Sequence, residues 1–285
     1  MSEQTVAFFT HSGDLLAWHS LAGEYQFNQG IGTHDGGMLM VGATQAGQGL
    51  VVKMDHKGMV EWQHVMSQDV TVLTHVVQLK SGDFMMIGQS LRDSDQTIAT
   101  LIRLSRLGEE HWVVHLSSDE AEHTQLSGLV LTHNEDVIIA GTRSDAVYSS
   151  LSQGWIARFK IGKKSKQVKL VWETLAGKAD ARNQINDIVV TSNAIVAVGA
   201  SNQKSNQYYM DYWVLGVTLK GNTEWEHHYG GIIGNDEAFS VIEMNEAQLV
   251  VSGYSSGFSS ISGTWLLSLN AAGEIDDFTP TALQH

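Results

Sequence analysis

The chain has 285 residues, 42% of them hydrophobic, with 28 glycines, a single proline and no cysteine. Its 31 acidic and 17 basic residues leave a formal net charge of −14, a surface that repels nucleic-acid phosphates and excludes general nucleic-acid binding. The missing cysteines exclude disulfides, thiolate metal sites and a cysteine nucleophile, and no stretch approaches the roughly 18 apolar residues of a membrane helix.

The N-terminal MSEQTVAFFTHSGD has no basic region leading into a long apolar one, so no signal peptide is visible. As written, the chain is expected in the cytoplasm, or in the periplasm or medium if a leader has been removed. The first structured segment, TVAFFTHSGDLLAWHS, reads as a hairpin carrying Trp18. After it an apolar strand closed by glycine recurs five times: MLMVGAT around Gly42, FMMIGQS around Gly88, VIIAGTR around Gly141, IVAVGAS around Gly199 and LVVSGYS around Gly253. The glycines lie 46, 53, 58 and 54 residues apart, and a period of this size built from short strands indicates a β-propeller.

Within a unit, NQINDIVV (183–190) is a β-branched strand, IVAVGAS (195–201) a second, DYWVLGVTL (211–219) a third and TEWEHHY (223–229) a fourth. Turns rich in glycine and asparagine join them into an antiparallel meander. The third strand is apolar on both faces, with Trp213, Leu215 and Val217 on one and Tyr212 and Val214 on the other, as a strand sandwiched between two layers requires. Fourth strands carry Trp62, Trp112, Trp172 and Trp225 in register, which reads as packing between blades. The expected fold is a single all-β domain over 1–285, a β-propeller of five blades of four-stranded antiparallel sheets. The last unit lacks a tryptophan-bearing fourth strand, which the N-terminal LLAWHS would supply in closing the ring. Because third-plus-fourth-strand hairpins number up to six, six blades with one incomplete is the alternative.

The stretch DYWVLGVTLKGNTEWEHHYGGIIGNDEAFSVIEMNEAQLVVSGYSS resembles one unit of bacterial tandem-repeat β-propeller proteins. The positions that carry the resemblance are Asp211, Trp213, Gly221, Trp225, Gly230, Gly231, Asp236, Ala238 and Gly253. Other units keep the glycine turn and tryptophan but lose the Gly-Gly. The resemblance implies the propeller fold and brings no shared catalytic residues with it.

In such a fold the first strands line a central channel. Alignment on the glycines places Gln29, Thr74, Ser127, Asn186 and Ser240 at one polar ring position, and Gly30, His75, Gly128, Asp187 and Val241 at the next. These would form a channel mouth suited to a small polar ligand, or a lining filled by water. Asp187 and Glu243 are the only carboxylates read on first strands, too few for paired acid–base chemistry. The loop-rich face is expected to hold Asp69, Glu120, Glu122, His123, Lys178, Asp180, Arg182, Asp236 and Glu237, with the aromatics Tyr148, Tyr208, Tyr209 and Phe258. A basic turn, RFKIGKKSKQVK with Lys163 and Lys164, could dock an acidic partner. Thirteen histidines make no metal pattern: His111 and His115 lie about 13 Å apart along a strand, and His227 and His228 point to opposite faces. No metal and no cofactor are expected. The expected function is a non-catalytic binding module that recognises a protein or glycan through its loops. The alternative is a carbohydrate-active enzyme or lectin working at the channel mouth.

Overall fold

The computed structural model describes residues 4–9, 12–21, 23, 25–67, 69–93, 96–116, 123–144, 150–162, 168–204, 208–231, 233–244, 248–256 and 262–275, and all of its regular elements are strands. The chain divides into two compact units, 1–129 with 161–168 and 130–160 with 169–285. In the first, β1 (Gln4–Phe9) and β2 (Leu15–Leu21) pair as a hairpin. Sheet 1 follows as β3 (Tyr25–Gly32), β4 (Met38–Thr44), β5 (Gly49–Met54) and β6 (Val60–Val65). Sheet 2 is β7 (Val70–Gln78), β8 (Phe84–Asp93), β9 (Gln96–Leu104) and β10 (Glu110–His115). The unit boundary runs through sheet 3, made of β11 (His123–Leu131), β12 (Val137–Ser144), β13 (Gln153–Ile161) and β14 (Val168–Ala176). The second unit continues with sheet 4, β15 (Asn183–Val190), β16 (Ala194–Ser201), β17 (Asp211–Thr218) and β18 (Thr223–Tyr229). Sheet 5 is three-stranded, β19 (Asp236–Glu243), β20 (Leu249–Ser255) and β21 (Gly263–Leu269), with a single bridge from Leu269 to Ile275 beyond it. Antiparallel meanders in succession make the fold β-propeller-like.

Middle strands are buried on both faces, as the continuous apolar runs require. β5 and β16 are buried throughout, and β17 along all but its last residue. The faces of β17 divide as read from the sequence: Trp213, Leu215 and Val217 join the core with Ile138, Ile156 and Ile185, while Tyr212 and Val214 join Ala238, Val241 and Val251. In the first unit Val41, Val51, Leu73, Met86 and Ile102 fill the space between sheets 1 and 2.

The recurring glycine has a physical cause. In sheets 1, 2, 4 and 5 the first strand bulges at the same place, between Phe27 and Gln29, Leu73 and His75, Ile185 and Asp187, and Ala238 and Ser240. A bulge sets two residues against one and bends the strand. Here it brings a first-strand carbonyl onto the facing glycine. A Cβ on Gly42, Gly88, Gly199 or Gly253 would stand 1.9, 2.2, 1.9 or 2.0 Å from the carbonyl oxygen of Gln26, Val72, Gln184 or Glu237. No other residue fits there without moving a strand.

Three of the four fourth-strand tryptophans are seen packing between sheets. Trp62, Trp172 and Trp225 lie against Gly108, Gly221 and Gly273, the positive-φ turn glycines (+84°, +90° and +76°) of the following sheet. Trp172 also donates its indole N–H to Leu219 O at 3.1 Å. At the same end of the third strands, Lys53, Arg103 and Arg158 bind the turn carboxylates Asp35, Asp83 and Asp136 at 3.0, 2.6 and 2.6 Å. Sheet 4 has no acid in that turn, and Gly216 replaces the cation so that the Trp225 ring can fold over the strand.

Candidate functional site

The ladders correct the alignment of the first strands. The bulge position is shared by Asn28, Thr74, Asn186 and Phe239, and the next by Gln29, His75, Asp187 and Ser240. Gln29 and Ser240 thus belong with Asp187 and His75, and Gly30 and Val241 lie one step further on. Counting back from the glycine fails because the turn from β15 to β16 is one residue shorter, pairing Val190 with Ile195 where Gly32 pairs with Met38. A second correction concerns charge: β19 begins at Asp236, so Asp236 and Glu237 join Asp187 and Glu243 as first-strand carboxylates.

Most of these polar groups bind the neighbouring sheet. In the first unit Asn28 Nδ2 donates to Leu73 O at 2.8 Å and Gln29 Oε1 accepts from the Val76 N–H at 2.6 Å. In the second, Asn186 Nδ2 donates to Ala238 O at 2.8 Å and Asp187 Oδ2 accepts from the Val241 N–H at 2.9 Å. The same two adjacent side chains grip equivalent backbone groups on either side of the neighbour's bulge, where the ladder is interrupted. Ser240 donates to Asp187 Oδ2 at 2.8 Å, and Asn186 also donates to Glu237 Oε1 at 2.9 Å. Thr74 turns back to Ile87 O within its own sheet. Thr74, His75 and Ser127 are half-buried and Gly128 is buried. The structure thus brings Asn186, Asp187 and Ser240 together in the second unit and Gln29 beside β7 in the first.

The loops of the second unit are cross-braced. Asn202 Oδ1 accepts from the Arg182 N–H, Gln203 Oε1 from the Lys178 N–H, and Asn235 Oδ1 from the Met210 N–H. Tyr208 projects from this frame, 82% exposed, and Tyr209 is half-buried. Lys178, Asp180 and Arg182 lie in the same linked loops. Asp236, expected on this face, is fully buried: Oδ1 accepts from Ser255 Oγ and the Ser256 N–H, and Oδ2 from the Gly231 N–H. Tyr148, Phe258, Glu120, Glu122, Lys163 and Lys164 lie outside the described residues.

Under Gln203 sits a cluster that sequence reasoning missed. Trp213 donates its indole N–H to Glu226 Oε1 at 2.9 Å, and Gln203 binds both Glu226 and His228. The His228 side chain is 2% exposed, and its Nδ1 has no hydrogen-bond partner among the described residues. Burial, with help from Lys204, His227 and Lys178, pushes the His228 pKa down to about 4, outweighing a Glu226 carboxylate that Trp213 and Gln203 already occupy. Sheet 3 repeats the arrangement, with Trp155 Nε1 donating to Glu173 at 2.9 Å and the Arg143 guanidinium 3.9 Å over the Trp155 ring. The signal was present in the chain: where a third strand carries Trp155 or Trp213, the paired fourth strand reads Trp172-Glu173 or Trp225-Glu226. Among the described residues no group of three or more His, Asp or Glu is placed to hold a metal.

No protein-family model matches the chain, and no characterised protein matches it in sequence. Solved structures match it in fold. A protein of unknown function from Bacteroides caccae aligns over 96% of this chain and 92% of its own, with a TM-score of 0.55 and 7% identity. One from Dyadobacter fermentans aligns over 93% and 80%, with a TM-score of 0.55 and 13% identity. A prolyl endopeptidase aligns over 96% of this chain but 37% of its own, with a TM-score of 0.56 and 13% identity. These similarities show the fold alone.

Proposed function

We propose that the chain is a non-catalytic propeller module that binds a protein or glycan through its loop-rich face. The observation that carries this reading is the use of Asn28, Gln29, Asn186 and Asp187 to hold neighbouring sheets together, which leaves those groups committed to structure. Exposed Tyr208, on loops braced at Lys178, Arg182 and Met210, supplies the kind of rigid, amphipathic anchor that binding surfaces use. The same reading takes 1–285 as one domain of five blades, closed by the N-terminal strand.

The test pairs a pull-down and a glycan array with a screen of glycoside substrates, comparing the wild type with Tyr208→Ala. Retention of one partner class by the wild type, weakened tenfold or more in the variant, supports the proposal. Glycoside turnover that Asp187→Asn abolishes, in a folded variant, would replace it with the enzyme alternative.

A further inference from the structure

We propose that Asp211 and Asp236, with the backbone around Gly230, form a site for a hard cation at the junction of sheets 4 and 5. Both residues are at least nine-tenths buried, Asp211 being 7% exposed and Asp236 0%. Their oxygens converge over Gly230: the place where a Cβ would stand lies 2.3 Å from Asp211 Oδ1 and 2.8 Å from Asp236 Oδ2. Asp236 is satisfied by Ser255, Ser256 and Gly231. Among the described residues nothing donates a hydrogen bond to the Asp211 side chain, and the charges that act on it are those of Asp236, which repels it, and Lys204, which favours it. A buried carboxylate in that condition is costly unless a proton or a cation joins it.

The preceding junction shows the same position built without charge. There Gln153 occupies the place of Asp211, Asn183 that of Asp236, Ser201 that of Ser255 and Gly177 that of Gly230. Gln153 Nε2 donates to Gly177 O at 3.0 Å, and Asn183 Nδ2 donates to Lys178 O at 2.8 Å. Exchanging both amides for acids removes both donors, and the backbone answers. Where Lys178 presents its carbonyl to Asn183, Gly231 presents its N–H to Asp236. That adjustment satisfies one acid and leaves Asp211 as an acceptor without a donor among the described residues. An oxygen-rich pocket of charge −2 suits Ca²⁺, with backbone carbonyls and water completing the shell. With two carboxylates only, affinity falls in the range of weak calcium modules, Kd about 10⁻⁴–10⁻³ M.

The experiment titrates Ca²⁺ into the whole chain and reads the melting temperature, then follows Tb³⁺ luminescence sensitised by the adjacent Tyr212. The expected result is a rise of roughly 3–5 °C at about 10 mM Ca²⁺ for a Kd near 1 mM, and a saturable Tb³⁺ signal that Ca²⁺ displaces. Asp211→Gln, which copies position 153, and Asp211→Asn should abolish both responses while melting no lower than the metal-free wild type. Equal Ca²⁺ shifts in wild type and variants, or no displaceable Tb³⁺ signal in the wild type, would overturn the proposal. A wild type that ignores Ca²⁺ but stabilises on acidification would assign the pocket to a shared proton instead.

Discussion

Replacing Gly199 by alanine tests the account of the repeating glycine. The new Cβ would stand 1.9 Å from Gln184 O, where real Cβ contacts essentially never fall below 3.0 Å, so β15 has to retreat by about 1.1 Å. A ladder hydrogen bond near 2.9 Å does not survive that displacement. Losing two such bonds beside the bulge, at about 1 kcal/mol each, and burying some of the freed groups without partners at about 1–3 kcal/mol, costs about 3–5 kcal/mol in all. For a domain of this size, at about 2–4 °C per kcal/mol, the melting temperature should fall by roughly 8–15 °C. The assay is thermal unfolding followed by circular dichroism and tryptophan fluorescence. Gly32→Ala is the control: it too lies in a strand, but nothing stands within 4 Å of its Cβ position, and its melting temperature should change little. A Gly199→Ala protein melting within about 2 °C of the wild type, or no lower than the control, would refute the carbonyl-on-glycine explanation.

Two further outcomes follow from the polar groups. Because the folded-state pKa of His228 is about 4 against an ordinary 6.5, the unfolded chain takes up this proton first as pH falls. The neutral-imidazole contribution, at most about 3 kcal/mol, is therefore complete above pH 6.5 and lost progressively toward pH 4. Melting temperatures at pH 7.5, 5.5 and 4.5 should show a shallower decline in His228→Asn than in the wild type, and equal slopes would remove His228 from the explanation. Asp187→Ala strands the Val241 N–H and should cost about 1–3 kcal/mol, read as a lower midpoint in urea unfolding; an unchanged midpoint would free Asp187 for a role as a ligand.

The strand order within each unit was legible because the apolar runs, turn glycines and tryptophans recur at fixed offsets. The 183–190 and 223–229 strands match their observed bounds. The bulge was not legible, since an extra residue leaves no mark on hydrophobic periodicity; nor was the one-residue-shorter turn between β15 and β16, and so Gln29 and Ser240 were placed one position early. The burial of Asp236 also escaped the sequence: an acid in a polar linker looks solvated until Ser255 and Gly231 are seen around it. The Trp213–Glu226 pair is written in the chain only as a difference between units: glutamate follows the fourth-strand tryptophan at Trp172-Glu173 and Trp225-Glu226, opposite the third strands that carry Trp155 and Trp213. The Lys53, Arg103 and Arg158 ion pairs were hidden in the same way, by Gly216 breaking the series in sheet 4.

The tryptophans seated on the next sheet's turn glycine decide how the chain can be cut. A segment copied from first strand to fourth, such as 183–229, carries Trp225 but leaves its seat at Gly273 behind. A segment copied from turn to turn, such as 222–273, carries both. Duplication, grafting or circular permutation of this protein should therefore succeed when the breakpoints fall in the third-to-fourth-strand turns, and fail when they follow the visible edges of the sheets.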